Sequence, residues 1–356
     1  MAASLALAGN PSSVHQAGRT ARHWREKARQ QVAAAIKARA QNIIFTSGGT
    51  EANALALRGL CRALQSNITL FVSDLEHSAV LENAALCESA HLCKLPVTDQ
   101  GQLDIYALEQ AIARLPKNGG VPVLALMLAN NETGILQPVR EAADIVHKAG
   151  GFIHCDGVQG LGKIPIDIAQ LDVDYLALSA HKCGGPSGVG ALWVRPGAPL
   201  AALMPGGGQE NSLRSGTENL PGIVGFGRAA EKAVAELSNM QGLAIHRDRL
   251  EAQIKAAGGL IIGADRARLP NTSCFAYPGF ASETQVMAMD LEGVCVSAGA
   301  ACSSGKVKRS DVLSAMGVSD TLAMSAIRTS YGWNSTSGDF DKTAEKWLKI
   351  LTRFLG

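Results

Sequence analysis

The stretch Leu178-Ser-Ala-His-Lys-Cys-Gly-Gly-Pro-Ser-Gly-Val-Gly190 decides how this chain is read. Tyr175 to Leu178 is an apolar run that predicts a buried strand. It ends in Ser179, His181 and Lys182, and a glycine-rich turn leads to a second apolar run, Gly190 to Val194. A lysine at the end of a buried strand loses part of its solvation, which lowers its pKa and makes its amine nucleophilic. A Schiff base with an aldehyde cofactor needs such an amine. An isolated lysine in a loop is more often a solvated charge, so its surroundings must decide.

Upstream, short apolar runs alternate with helical patterns. Ser12 or Ser13 is placed to cap a helix running to about Lys37, and Ile43-Ile-Phe-Thr46 predicts a strand. Ser47-Gly-Gly-Thr-Glu51 then turns into a helix over Ala52 to Leu64, and free N–H groups at such a start suit a phosphate. Strands follow at Thr69–Val72, His91–Leu95, Val121–Leu128 and Phe152–Cys155, with helices between them. This alternation predicts a parallel, doubly wound sheet, whose sites form at the carboxyl ends of strands. Thr50, His77, Asn131, Asp156, Gln159, Ser179, His181 and Lys182 all fall at such ends or just beyond them. That clustering takes Lys182 out of the class of ordinary loop lysines.

Composition narrows the class. A chain of 356 residues accommodates two packed domains. The net charge of +2 gives no electrostatic argument for nucleic acid or an acidic membrane surface. Its 38 glycines with few aromatics suit an α/β protein with many tight turns. Eight irregularly spaced cysteines, without a CxxC pair, fit neither a secreted disulfide framework nor a zinc ribbon. No apolar run is long enough to span a membrane, and a cytoplasmic location is expected.

The loop Met204 to Thr217 is longer and richer in glycine than a connection requires, which marks it as functional. A helical stretch from about Leu220 to Ala257 leads to shorter strands at Leu260–Ile262, Thr272–Ala276 and Val294–Val296, with a domain boundary near residue 238. Helices are expected over Glu283–Leu291, Arg309–Met316 and Phe340–Leu355. Cys61, Cys87, Cys155 and Cys295 lie in apolar or helical settings and read as packing residues. Cys302 instead sits in Ala298-Gly-Ala-Ala-Cys-Ser-Ser-Gly-Lys-Val-Lys-Arg309. This reads as an exposed segment whose Lys306, Lys308 and Arg309 favour the thiolate. It is not a P-loop, because five residues rather than four separate Gly299 from Gly305 and Val307 follows Lys306.

Taken together, these motifs resemble the cysteine desulfurases of the NifS/IscS type, within the class V aminotransferase-like pyridoxal phosphate enzymes. The resemblance rests on Gly9-Asn-Pro-Ser-Ser-Val-His15, Phe45-Thr-Ser-Gly-Gly-Thr-Glu51, Glu76-His77, Asn130-Asn-Glu-Thr-Gly134 and Asp156-Gly-Val-Gln159. It continues through Ser179-Ala-His-Lys182, Gly206-Gly-Gly-Gln-Glu210, Arg214-Ser-Gly-Thr217, Ser297-Ala-Gly-Ala-Ala-Cys302 and Ile327-Arg-Thr-Ser330, in the family's order. The implied fold is α/β: a large cofactor-binding domain with a mostly parallel sheet over residues 1–238, and a smaller α+β C-terminal domain over 239–356.

The resemblance also implies roles. Lys182 holds pyridoxal 5′-phosphate and shuttles the substrate α-proton. Asp156 keeps the ring nitrogen protonated, Gln159 reaches the phenolic oxygen, and His77 stacks on the ring as acid or base. Gly49, Thr50, Ser179, His181 and Thr217 bind the phosphate, Thr217 from the other subunit of a homodimer. Asn131, also counted with the cofactor residues, and Arg328 hold the substrate carboxylate. Cys302 attacks the sulfur of L-cysteine, releasing L-alanine and keeping a persulfide for a sulfur-acceptor or iron–sulfur scaffold protein. That cysteine is also a candidate transient iron–sulfur ligand, with no intrinsic metal expected.

Relatives of this type begin earlier, with a strand and an Ala-Thr-Thr segment, so Met1 reads as an internal start and the chain as a shortened form. It ends just after the last helix, without the tail some relatives use for the scaffold protein. The alternatives are a selenocysteine lyase, a small-substrate aminotransferase of the same fold, and an inactive truncated relative. Cys183 and Trp333 stand where the resemblance offers no account.

Overall fold

The computed structural model describes residues 1–5, 9–65, 67–116, 120–299 and 309–356. They form two compact units. One comprises residues 1–95, 105–128 and 138–237; the other comprises 96–104, 129–137 and 238–356. The second unit thus includes two short segments, 96–104 and 129–137, that sequence reading assigned to the large domain, and Asn131 goes with them.

The first unit is built on seven strands: β1 (Ile43–Thr46), β2 (Ile68–Ser73), β3 (Ala90–Leu95), β4 (Val121–Met127), β5 (Phe152–Asp156), β6 (Tyr175–Ser179) and β7 (Gly190–Val194). Their order is β1-β7-β6-β5-β4-β2-β3. β7 runs antiparallel to both neighbours, whereas the remaining pairs are parallel. Every residue of β2 and β6 is buried, as expected of strands covered on both faces. The edge strand β3 exposes His91, Leu92 and Lys94.

The helix Gly49–Leu64 packs on one face, where Leu55, Leu57 and Leu60 join Leu70, Val72, Val123, Tyr175 and Leu192 in the core. Each such side chain contributes roughly 1.5–3 kcal/mol by leaving water. The helix Gln16–Ala35 is capped by His15, whose side chain accepts from Gly18 N–H, and not by Ser12 or Ser13. The two serines are instead held in a turn by Asn10. The predicted long helix 220–257 is two helices, Leu220–Ala235 and Leu237–Ala256, broken at Glu236.

The second unit carries an antiparallel sheet, β8 (Leu260–Ile261), β9 (Thr272–Ala276), β10 (Ser297–Ala298) and β11 (Ala326–Ser330), in the order β10-β11-β9-β8. The strand expected at Val294–Val296 is not formed; pairing starts at Ser297, opposite Arg328. Cys295 is therefore exposed and not a packing residue, whereas Cys61, Cys87 and Cys155 are buried. The helix Ser337–Leu355 starts earlier than expected because Thr336 and Asp339 form a reciprocal capping box. Its Trp347 meets Phe275 edge to face at 5.4 Å and donates to Gln285 Oε1 at 2.8 Å. Among the described residues, no helix is long and apolar enough to cross a membrane.

Candidate active site

β5 and β6 end side by side, with Asp156 in register with Ala177, and the groups expected to do chemistry gather there. Asp156 is buried. Its Oδ1 accepts from Val158 N–H at 3.0 Å and its Oδ2 from the Asn53 amide at 2.8 Å. Burial raises the Asp156 pKa, and those two donors, together with the charge of Lys182, oppose the rise. Glu76 is the second buried carboxyl. Burial pushes it well above the ordinary carboxylate range, the Asp156 charge pushes it the same way, and Met127 N–H, which it accepts at 2.6 Å, opposes. Burial therefore pushes both carboxyls toward the protonated form, Glu76 the more strongly, while Asp156 has the two hydrogen-bond donors and the nearby lysine to favour its anion.

Ser179 is buried at the end of β6, and its Oγ lies 2.9 Å from His181 Nδ1. His181 and Lys182 follow in a one-turn 3-10 helix, Ala180–Cys183, and both are exposed. The strand end therefore does not by itself desolvate the lysine, contrary to the expectation from its buried position in sequence. Burial lowers the His181 pKa, and the charges of Lys182 and Lys163 add to that effect. Cys183 is tied into the turn through Sγ to Ala180 O at 3.3 Å, and burial pushes its thiol up to about 11. It is a packing group there, not a second nucleophile.

Gly49 opens its helix beside these residues. A Cβ on it would lie 2.7 Å from Val158 and 3.5 Å from Ser179, so the close approach requires glycine. Thr50 is exposed at the same helix start, and Glu51 accepts from Ser47 N–H and pairs with Arg214 at 2.8 Å. Arg214 belongs to the long glycine-rich loop, which is pinned at Glu210. That buried carboxylate takes a bidentate pair from Arg29 at 2.6 and 2.7 Å, and Phe45 N–H at 2.7 Å. Exposed Thr217 lines a cleft of about 90 Å³ with Ser47, Gly188 and Arg214.

His77 caps the helix Ser78–Ala85, its Nδ1 accepting from Ala79 N–H at 3.0 Å, which leaves Nε2 as the proton-bearing nitrogen of the neutral ring. Gln159 accepts from Lys163 Nζ through Oε1 at 2.6 Å. A lysine only donates, so this fixes the glutamine amide with Nε2 as its outward donor. In the second unit, Arg328 donates from Nη1 to Asn131 O at 2.6 Å and from Nη2 to Ser297 Oγ at 3.2 Å, which unites the two residues expected to hold a carboxylate. Cys302 lies outside the described residues. Among the described residues, no group of three or more His, Cys, Asp or Glu side chains could hold a metal ion.

Sequence reading missed Asn53, Glu76 as a proton holder, and His154, which is wholly buried and 2.8 Å from Asn53 Oδ1. The signals available were a histidine two residues before Asp156 on a strand and an asparagine on an apolar helix face.

The family model described as aminotransferase class-V matches residues 2–342, and the chain belongs to that family. Among curated relatives, a cysteine desulfurase of Cereibacter sphaeroides is 44% identical over 95% of this chain and 87% of its own length. The cysteine desulfurase IscS of Dictyoglomus turgidum is 38% identical over 97% of this chain and 88% of its own. A NifS-like protein from Rickettsia africae superposes with a TM-score of 0.89 at 32% identity, covering 99% of this chain and 94% of that structure. These relatives set the chain among the cysteine desulfurases, whose cofactor is pyridoxal 5′-phosphate.

The residues present fit that cofactor. A buried Asp156 carboxyl, held by two donors, suits a protonated pyridine nitrogen. The outward Nε2–H of Gln159 suits a phenolate. The glycine-tight helix start beside Ser179 suits a phosphate.

Proposed function

We propose that this protein removes the sulfur of L-cysteine, releases L-alanine and carries the sulfur as a persulfide on Cys302. The observation that carries this reading is Asp156, a buried carboxyl held by two donors at the end of β5 and favoured as an anion by the charge of Lys182. When bound, pyridoxal 5′-phosphate supplies the electron sink that makes removal of the substrate α-proton and cleavage of its carbon–sulfur bond feasible. Lys182 anchors it, and Asp156 and Gln159 hold the ring. Gly49, Thr50, Ser179, His181 and Thr217 take the phosphate, Thr217 serving a second copy of this chain in a homodimer. Arg328, oriented through Asn131 and Ser297, presents its guanidinium to the substrate carboxylate.

Lys182 takes the α-proton, and His77, with its cap bond fixing Nε2 outward, manages the second proton. The Cys302 thiolate attacks the substrate sulfur. An S–S bond forms as the substrate Cβ–Sγ bond breaks, the carbon gains a proton to become alanine, and one proton stays with the persulfide. The sulfur then passes to an acceptor protein, an iron–sulfur scaffold or a component of tRNA thiolation. Purified protein is expected to show a visible absorbance band that Lys182→Ala abolishes. With a reductant it is expected to release sulfide and alanine in equal amounts from cysteine. Cys302→Ser keeps the band and loses sulfide; a sulfide-producing Cys302→Ser protein would overturn the assignment.

A further inference from the structure

The alternation of β5 puts His154 and Asp156 on the same face of the sheet, and Asn53 from the helix Gly49–Leu64 bridges them. We propose that His154 and Asn53 are positioning residues that hold Asp156 as an oriented carboxylate: the histidine fixes the asparagine amide so that its N–H, never its carbonyl, faces the aspartate. This rests on the reading of Asp156 as the partner of a pyridine nitrogen, and extends it to two residues that do not touch the cofactor.

An asparagine amide has two faces of similar shape and opposite hydrogen-bonding sense, so something must choose between them. Asn53 is 1% exposed, which removes water as the arbiter. His154 is 0% exposed, and burial lowers its pKa to about 3, so the ring is neutral and carries one N–H. With the proton on Nε2, His154 donates to Asn53 Oδ1 and Asn53 Nδ2 donates to Asp156, both at 2.8 Å. With the proton on Nδ1, Nε2 becomes an acceptor. Asn53 then has to turn its carbonyl toward a buried carboxylate, and an N–H is stranded on Nδ1, which has no partner among the described residues. The first arrangement wins on both counts. The other titratable groups facing Asp156 agree with it: burial and the Asp156 charge push Glu76 toward its neutral form, and the charge of Lys182 favours the aspartate anion.

The test compares His154→Leu, which removes the donor, with His154→Gln, which restores an N–H near the Nε2 position. The holoenzymes are loaded with pyridoxal phosphate labelled with ¹⁵N in the ring. Loss of the bond that fixes the Asn53 amide toward Asp156 is expected to weaken cofactor binding about tenfold in His154→Leu. It is also expected to move the ring-nitrogen shift toward the unprotonated value. His154→Gln is expected to restore both. A role confined to core packing would change melting temperature alone and leave the nitrogen shift at the wild-type value, and that outcome overturns the proposal. Should His154→Leu fail to fold, ¹⁵N NMR of the wild-type imidazole decides. An Nε2–H ring that stays neutral at pH 5 supports the proposal, and an Nδ1–H ring or an imidazolium overturns it. Failure of the underlying reading looks different: the wild-type protein itself would then lack the visible band that Lys182→Ala removes.

Discussion

Glu76 and Asp156 are two buried carboxyl groups that interact, and burial together with the Asp156 charge pushes the Glu76 pKa well above the ordinary carboxylate range. A group whose pKa is raised on folding stabilises the protein most below its unfolded value of 4.5, and that contribution is lost as pH rises toward the folded pKa. Glu76→Gln retains an oxygen for Met127 N–H and removes the ionisation. It is therefore expected to gain stability over wild type as pH increases from 5 to 9, measured by urea unfolding. Glu76→Ala removes the acceptor and is expected to lose roughly 1–3 kcal/mol. His154 titrates in the other sense. Its pKa falls from 6.5 to about 3, so the protein loses stability as pH drops below 6.5, and His154→Gln is expected to flatten that acid limb. Lys182, Asp156 and Ser179 were legible in the sequence because strand ends are legible. Asn53 and His154 were not, because they lie 101 residues apart and meet only once the sheet order is known.

At the scale of elements, the alternation of apolar runs and helices revealed the parallel sheet, since buried strands need no polar face. It carried no information on strand direction, so the antiparallel β7 came only from the structure. Cap positions were misplaced for the same local reason: Asn10 ties up Ser12, leaving His15 to cap the helix Gln16–Ala35. That helix also supplies Arg29, which grips Glu210 where Glu210, Asn211 and Ser212 all adopt left-handed backbone at φ 46, 57 and 64°. Non-glycine residues hold such a conformation only when their surroundings impose it. Arg29→Met breaks a buried pair and strands Glu210, an expected cost of about 3–5 kcal/mol. Limited proteolysis is expected to cut the variant first between residues 206 and 213. A cut elsewhere would show that Arg29 does not restrain this loop.

At the scale of the whole molecule, Asp156, Gln159, Ser179 and Lys182 belong to the first unit, and Asn131 and Arg328, the pair proposed to hold the substrate carboxylate, belong to the second. Arg328→Lys keeps the charge and loses the planar fork. Its cofactor band is expected to remain at wild-type intensity while kcat/KM for cysteine falls about tenfold to a hundredfold, chiefly through KM. The chain length that suggested two domains could not reveal that the second unit takes in residues 96–104 and 129–137. Hydrophobic periodicity is a local signal, and such an exchange depends on distant partners.

That interleaving has a consequence for how the chain is made. Leu103 and Ile135 are buried in the finished protein, yet most of the unit that houses them begins at residue 238. On a ribosome the later segment waits on the order of ten seconds for that sequence to emerge. Both must stay in solution meanwhile without aggregating, which makes this a natural stage for chaperone capture. It also means that cutting the gene at the apparent boundary would yield two incomplete fragments, each missing sequence the other encodes.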